Sequence, residues 1–311
     1  MKPYRLQHLP SATIRMSGFT VIELLVGVGV VGLLASLIIP AVQSSREAAR
    51  RMSCRSNLHQ ILLAFHQHED IYGEFPGLVV DGEHWNVRIL PYLDQQKPVR
   101  DGHGAEISGP GAVPLYVCPS DSLATGKLVA GHSSYYPSDG KGGPFHDGLY
   151  MTRSQRAVRS SDVRDGLSAT AAVSERLAFP DGPEFAGAWL DDPRYERRIV
   201  RYTSAFLADL DTFADECESH SIAPQVTLVA VPNYNHIQTP NRRSCTNGPA
   251  GFPHPDSYPA ATASSMHPGG VNLALADGAV RFVSESIDRK VWRAIGTRDG
   301  GEAGGGEAIT D

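Results

Sequence analysis

From Phe19 to Val42 the chain runs FTVIELLVGVGVVGLLASLIIPAV, 24 residues with a single charge, Glu23. As a helix this stretch spans about 36 Å, and a bilayer's hydrocarbon core is about 30 Å thick. A buried helix of a soluble core is the competing reading. The eighteen residues in front carry Lys2, Arg5 and Arg15 and no acid, which favours membrane targeting. Arg46, Arg50, Arg51 and Arg55 follow the span, so the charge count on the two sides does not set its orientation.

Glu23 is the anomaly. A carboxylate deep in a bilayer costs about 2–3 kcal/mol on the lenient insertion scale, and less near a membrane edge. Cleavage after Gly18 would create an α-amine at Phe19, four residues from Glu23. Such an amine on a neighbouring subunit would neutralise both charges. Gly27, Gly29 and Gly32 match the G-x-G-x-x-G dinucleotide fingerprint, but they sit inside one apolar run without the strand–turn–helix context it needs. Gly32 and Ser36 instead make a small-xxx-small pair suited to helix packing, and Pro40 removes one backbone donor.

The helical pattern continues to Tyr72, with Ala48, Met52, Leu58, Ile61, Leu62, Phe65 and Tyr72 predicted on the packed side. Gly73 and Pro76 give the stop. One helix over 19–72, with its membrane-spanning half at 19–42, is therefore expected. His59, His66 and His68 near its end, beside Glu69 and Asp70, are read as a solvated polar face rather than a metal site, since no H-E-x-x-H pattern is present.

Beyond Gly73 short apolar runs alternate with Gly-, Pro- and Asp-rich turns. An α+β domain over 73–298 is expected, with an antiparallel sheet, an insertion from about 180 to 263 and a disordered Gly-rich tail over 299–311. Val87–Leu93 and Ala171–Glu175 read as small elements, and Ser204–Cys217 as a short amphipathic helix. Asp277-Gly278 between the runs from Val271 and to Val283 is a β-hairpin signal. Asp277 is read as shaping the turn and His267 as fixing the loop before it, rather than as catalytic residues. Net charge is −6, and the leader's three cations leave the body more acidic still, which argues against nucleic acid as the main partner. Cys54, Cys118, Cys217 and Cys245 contain no C-x-x-C, and their spacing leaves three pairings open. Acidic turns suit Ca²⁺, with no ligand set assigned; no other cofactor or metal is expected.

Ser17-Gly18-Phe19-Thr20-Val21-Ile22-Glu23-Leu24-Leu25-Val26 resembles the cleavage and methylation motif of type IV prepilins and type II secretion pseudopilins. The resemblance implies that a prepilin peptidase cuts after Gly18 and methylates Phe19, and that Glu23 sets register during assembly. It implies a pilin-like fold, a long helix on a β-sheet domain. The distal segments resemble a large bacterial prepilin-like family, domain of unknown function 1559. They are Cys54-Arg55-Ser56-Asn57-Leu58, Tyr72-Gly73-Glu74-Phe75-Pro76, Leu90–Gln95, Cys118-Pro119-Ser120-Asp121, Asp165–Thr170 and Gly296–Glu302. His267 followed after nine residues by Asp277-Gly278 completes the set. Cys54 and Cys118 lie in family-like segments and Cys217 and Cys245 in the insertion, which implies pairs 54–118 and 217–245. The expectation is a non-enzymatic, single-pass inner-membrane subunit with its domain extracytoplasmic, in a type II secretion or pilus-like assembly or a surface filament. Its expected partners are the peptidase, like subunits or other pseudopilins, and the membrane. The alternatives are an anchored or secreted ligand-binding or hydrolytic domain, and a plain signal peptide cut between Ala41 and Ser45. No G-x-S-x-G, H-E-x-x-H or EF-hand pattern supports a hydrolase.

Overall fold

The computed structural model describes residues 20–77, 79–80, 83–93, 113–121, 133–142, 145, 147–150, 158–177, 201–203, 209–219, 233–247 and 258–301. The chain divides into two compact units, 1–46 and 47–311. Helix α1, Val21–Tyr72, begins in the first and ends in the second.

In the first unit the apolar side chains of α1 face outward. Val21, Ile22, Leu24, Leu25, Val28, Val31, Leu33, Leu37 and Ile39 are all exposed. A soluble core helix would bury this surface. Here is one helix long and apolar enough to cross a membrane, consistent with single-pass anchoring. Pro40 lies inside the helix.

In the second unit, α1 from Glu47 onward packs on a four-stranded antiparallel sheet. Its strands are β3 (Tyr135–Pro137), β4 (Ala171–Glu175), β8 (Gly270–Leu275) and β9 (Val280–Ser284), in the order β3-β4-β8-β9. Period-two alternation sorts β8 into two faces. Ala274, and Ala276 just beyond the strand, join the core that holds α1, and Asn272 shares the face of Ala274. Val271, Leu273 and Leu275 face the second core with Trp292 and Ile295. A register shift between Ala171 and Val173 interrupts this alternation in β4. Pro137 sits in the edge strand β3, where a missing backbone donor is tolerated.

The buried stripe of α1 is Cys54, Leu58, Ile61, Leu62, Ala64, Phe65 and His68. It departs from the predicted side at both ends, where Met52 and Tyr72 are exposed. His68 is not solvated as expected: its Nδ1–H donates to Glu74 O at 2.9 Å, beneath Tyr72 and Tyr92. Val87–Leu93, read as a small element, spans the end of the short helix α2 (Trp85–Arg88) and a 3₁₀ turn over Leu90–Tyr92. Two short strands, β1 (Val79–Val80) and β2 (Glu83–His84), precede it.

Residues 180–263 include helix α3 (Leu210–Ser219) and the strands β5 (Arg201–Thr203), β6 (Cys245–Asn247) and β7 (Pro259–Ala260). The helix begins later than predicted from Ser204; residues 204–208 lie outside the described set. This region is not a simple appendage. Tyr234 bridges to Ser138 beside β3 and enters the second core. A third apolar cluster contains Phe213, Ala214, Ile237 and Ala260 with the Cys217–Cys245 disulfide. By loop length that cross-link is worth about 3–4 kcal/mol.

Helix α4 (Arg289–Ala294) closes the fold, capped by the Asp288 carboxylate, which accepts from Lys290 N and Val291 N. Its Trp292 lies against the His236 ring, centroids 4.1 Å apart. His236 Nδ1–H donates to Trp292 O at 2.7 Å, and burial pushes its pKa down to about 3, so the ring is neutral. Gly296 completes the contact: a Cβ there would stand 2.6 Å from His236 Cγ. Gly296→Ala is expected to destabilise the domain by about 1–3 kcal/mol through overpacking. An unchanged urea midpoint would contradict that. Asp299–Gly301, assigned to the tail from sequence, are fixed instead: Gly300 N and Gly301 N donate to the Asp165 carboxylate at 2.7 and 2.9 Å. The rest of the tail lies outside the described residues.

Candidate functional site

Gly18 and Phe19, the predicted processing pair, lie outside the described residues. Glu23 stands in the first turn of α1. Its carboxylate accepts from Thr20 N and Thr20 Oγ1, both at 2.9 Å, while Glu23 N donates back to Thr20 Oγ1 at 3.3 Å. This is a reciprocal capping box, and the T-x-x-E spacing in the sequence already carries its signature. In the single chain Glu23 is thus held at the helix start by its own neighbour.

His267 and Asp277, paired by the ten-residue signature, do not share a site. They lie just beyond opposite ends of the antiparallel strand β8. Asp277 and Gly278 form the hairpin turn: Gly278 has φ +91°, and Asp277 Oδ1 accepts from Ala279 N at 2.9 Å. His59 meets this turn through Gly278 O at 3.1 Å. His66 lies 3.7 Å from Glu69. Among the described residues the helix histidines form no ligand cluster.

What the fold does assemble is a buried polar cluster around His267. The loop carrying it is tightly held. His267 N donates to Ser265 Oγ at 3.0 Å, and Ser265 Oγ donates to Gly270 O at 2.8 Å. Ser265 N donates to Asn241 Oδ1 at 2.9 Å, and Asn241 has the left-handed φ of +63° that its short amide tolerates. So placed, His267 Nδ1 lies 2.6 Å from Glu47 Oε1 on α1, and Nε2 lies 3.2 Å from Glu175 Oε1 at the end of β4. The Cys54–Cys118 disulfide closes the cluster, with Cys118 Sγ 3.5 Å from His267 Nε2.

Both carboxylates have further partners. Glu175 accepts from Asn272 N at 2.8 Å and Asn272 Nδ2 at 2.9 Å. Glu47 accepts from Arg50 Nη2 at 2.6 Å and from Ser120 Oγ at 3.1 Å. Burial is the largest single influence on His267 and alone would lower its pKa. The hydrogen bonds and charges of Glu175 and Glu47 together outweigh it, so the imidazole is held above its ordinary value. For Glu47 burial again opposes, but His267, Arg50 and Ser120 together hold the carboxyl below its usual range. Both ring nitrogens of His267 thus face carboxylate oxygens, a clamp that favours the protonated ring and ties α1, β4 and the loop before β8.

The clamp makes stability depend on pH. A raised histidine pKa contributes fully below the unfolded value of about 6.5 and is lost as pH rises through the folded value. The lowered Glu47 contributes above about 4.5 and is lost as pH falls through its folded value. Buried neutral His236 runs the opposite way to His267 but cancels when two variants are compared. The difference in urea midpoint between the wild type and His267→Gln is expected to be larger near about pH 5.5 than near about pH 9. A difference that grows with pH would contradict the clamp.

Glu47 and Glu175 were not singled out by sequence reasoning. The signal available was weak: a carboxylate closing the short strand Ala171-Ala172-Val173-Ser174-Glu175, and another just after the apolar span.

A family model described as a protein of unknown function, DUF1559, matches residues 43–290. No curated protein and no solved structure matches the chain.

Proposed function

The chain belongs to the DUF1559 family, and from that premise we propose that it is a pilin-like membrane subunit, cut after Gly18 and assembling with like subunits in a type II secretion or pilus-like system. The observation that carries this reading is the first unit of α1. Its apolar side chains are exposed all round, and its only acidic residue is Glu23, in the first turn. A plain anchor needs a carboxylate there only as a helix cap. A packed array of such helices has a further use for it, because the new amine at Phe19 of one subunit can neutralise Glu23 of the next. The capping box supports the same picture: Thr20 orients the carboxylate at the helix start. Two disulfides favour an extracytoplasmic domain, where oxidising conditions preserve them. A prepilin peptidase, like subunits and the inner membrane are the partners this function requires.

Glu23→Ala tests the assembly role. The variant is expected to reach the membrane and be processed, while cross-linked or co-isolated like subunits fall more than about tenfold, since truncating one member of a desolvated charge pair costs about 2–5 kcal/mol. Undiminished assembly would remove Glu23 from the contact. Restoration by Glu23→Asp, and not by Glu23→Gln, would assign the effect to charge rather than to the helix cap.

A further inference from the structure

The cluster around His267 has a donor set that salt bridging alone does not use. Cys54, Cys118, Glu175 and His267 are all buried, and one ligand atom from each lies within 4.8 Å of all the others. Two of its edges match those of a tetrahedral zinc site. With zinc–nitrogen and zinc–oxygen bonds of about 2.0–2.2 Å and zinc–sulfur bonds of about 2.3 Å, the N···S edge is about 3.5 Å and the N···O edge about 3.3 Å. The observed distances from His267 Nε2 are 3.5 Å to Cys118 Sγ and 3.2 Å to Glu175 Oε1. The two sulfurs, bonded to each other here, would have to separate to roughly 3.8 Å.

The outer shell is also in place. A metal-bound histidine typically donates its other ring N–H to a carboxylate, and a ligating carboxylate is itself hydrogen-bonded. His267 Nδ1 has Glu47, and Glu175 has the Asn272 amides. A small pocket lined by Cys118, Asp121, Ser134, Glu175, Arg176 and Ser265 adjoins the cluster.

We infer that Cys54, Cys118, Glu175 and His267 form a redox-gated zinc site, closed as a disulfide and open to Zn²⁺ as a dithiol. In the closed form the sulfurs are poor ligands, and His267 Nε2–H points to Glu175 Oε1 while Nδ1–H points to Glu47. A dithiol reductant opens it. The S–S bond breaks and takes up two electrons and two protons, and the reductant becomes its own disulfide. Zn²⁺ then binds two thiolates, Glu175 Oε1 and His267 Nε2. Three protons leave: one from each thiol and one from Nε2. Nδ1–H stays on Glu47. Two thiolates, one carboxylate and one imidazole are a donor set suited to zinc rather than to calcium or magnesium. This inference is independent of whether the chain assembles into a filament.

Cobalt is the probe, because tetrahedral thiolate-bound Co²⁺ absorbs strongly in the visible and near ultraviolet. The full chain in detergent is reduced anaerobically with a phosphine and titrated with Co²⁺. The expected result is one tetrahedral cobalt per reduced chain, displaced by Zn²⁺, and none in the oxidised chain. His267→Asn, whose amide can still reach Glu47, is expected to abolish the spectrum, and Glu47→Gln to weaken cobalt binding about 10–100-fold. Glu175→Gln, which retains an acceptor for Asn272, provides a second ligand test should His267→Asn not fold. A reduced wild type without tetrahedral cobalt overturns the inference. So does a folded His267→Asn or Glu175→Gln chain that binds cobalt like the wild type, which would place the metal on Cys217 and Cys245.

Discussion

Glu175→Ala is expected to destabilise the globular domain by about 3–5 kcal/mol, because removing one member of a buried ion pair leaves the rest uncompensated. The Glu175 carboxylate is almost fully buried and serves three donors: His267 Nε2, Asn272 N and Asn272 Nδ2. Alanine would strand all three where water does not reach. The backbone N–H of Asn272 matters most, since it lies in β8, which is buried along its whole length. Glu175→Gln is expected to cost less, because its amide oxygen can still accept from that N–H. Equilibrium urea unfolding of the two variants in detergent separates the contributions. A Glu175→Ala midpoint within about 1 kcal/mol of the wild type would show that the cluster does not hold the sheet to the helix.

The Cys54→Ala/Cys118→Ala double variant is expected to lose about 4 kcal/mol, from the 64-residue separation that this cross-link closes. Both sulfurs lie in the main core, with Leu58 and Tyr116 close by in sequence and in the same cluster. The bond fastens α1 to the segment Val113–Asp121, which also meets α1 through Asn57 to Val117 O and through Ser120 to Glu47 and Arg50. Its loss should loosen that segment first. Hydrogen exchange should show early opening around Tyr116 and Val117, while the β8–β9 hairpin stays protected. Uniform loss of protection across the domain, or none, would contradict this assignment.

The sequence makes some parts of this molecule plain for physical reasons. Asp277-Gly278 marks a turn that needs positive φ, and strands Gly270–Leu275 and Val280–Ser284 flank it. Ala171–Glu175 opens on three apolar residues and is short, and it is the strand β4. The apolar stretch from Phe19 is equally plain, and among the described residues its large side chains from Val21 to Val42 are exposed. The cluster around His267 is another matter. Glu47 and His267 are 220 residues apart, and Glu175 lies between them on a different strand. No period or spacing links three such positions; only the packing of α1 on the sheet does. His68 shows the same limit, since a polar side chain on a helix reads as solvated until Glu74 O and two tyrosines are found beside it. The cysteine pairs came from family resemblance, as spacing alone leaves three arrangements open.

Intact mass and N-terminal peptide analysis of the chain isolated from its native membrane tests the processed, pilin-like reading most directly. A mature N-terminus at Phe19 carrying one methyl group on its α-amine is the result predicted. A retained leader, or a start between Ala41 and Arg46 that removes Glu23 and the whole apolar span, would contradict it.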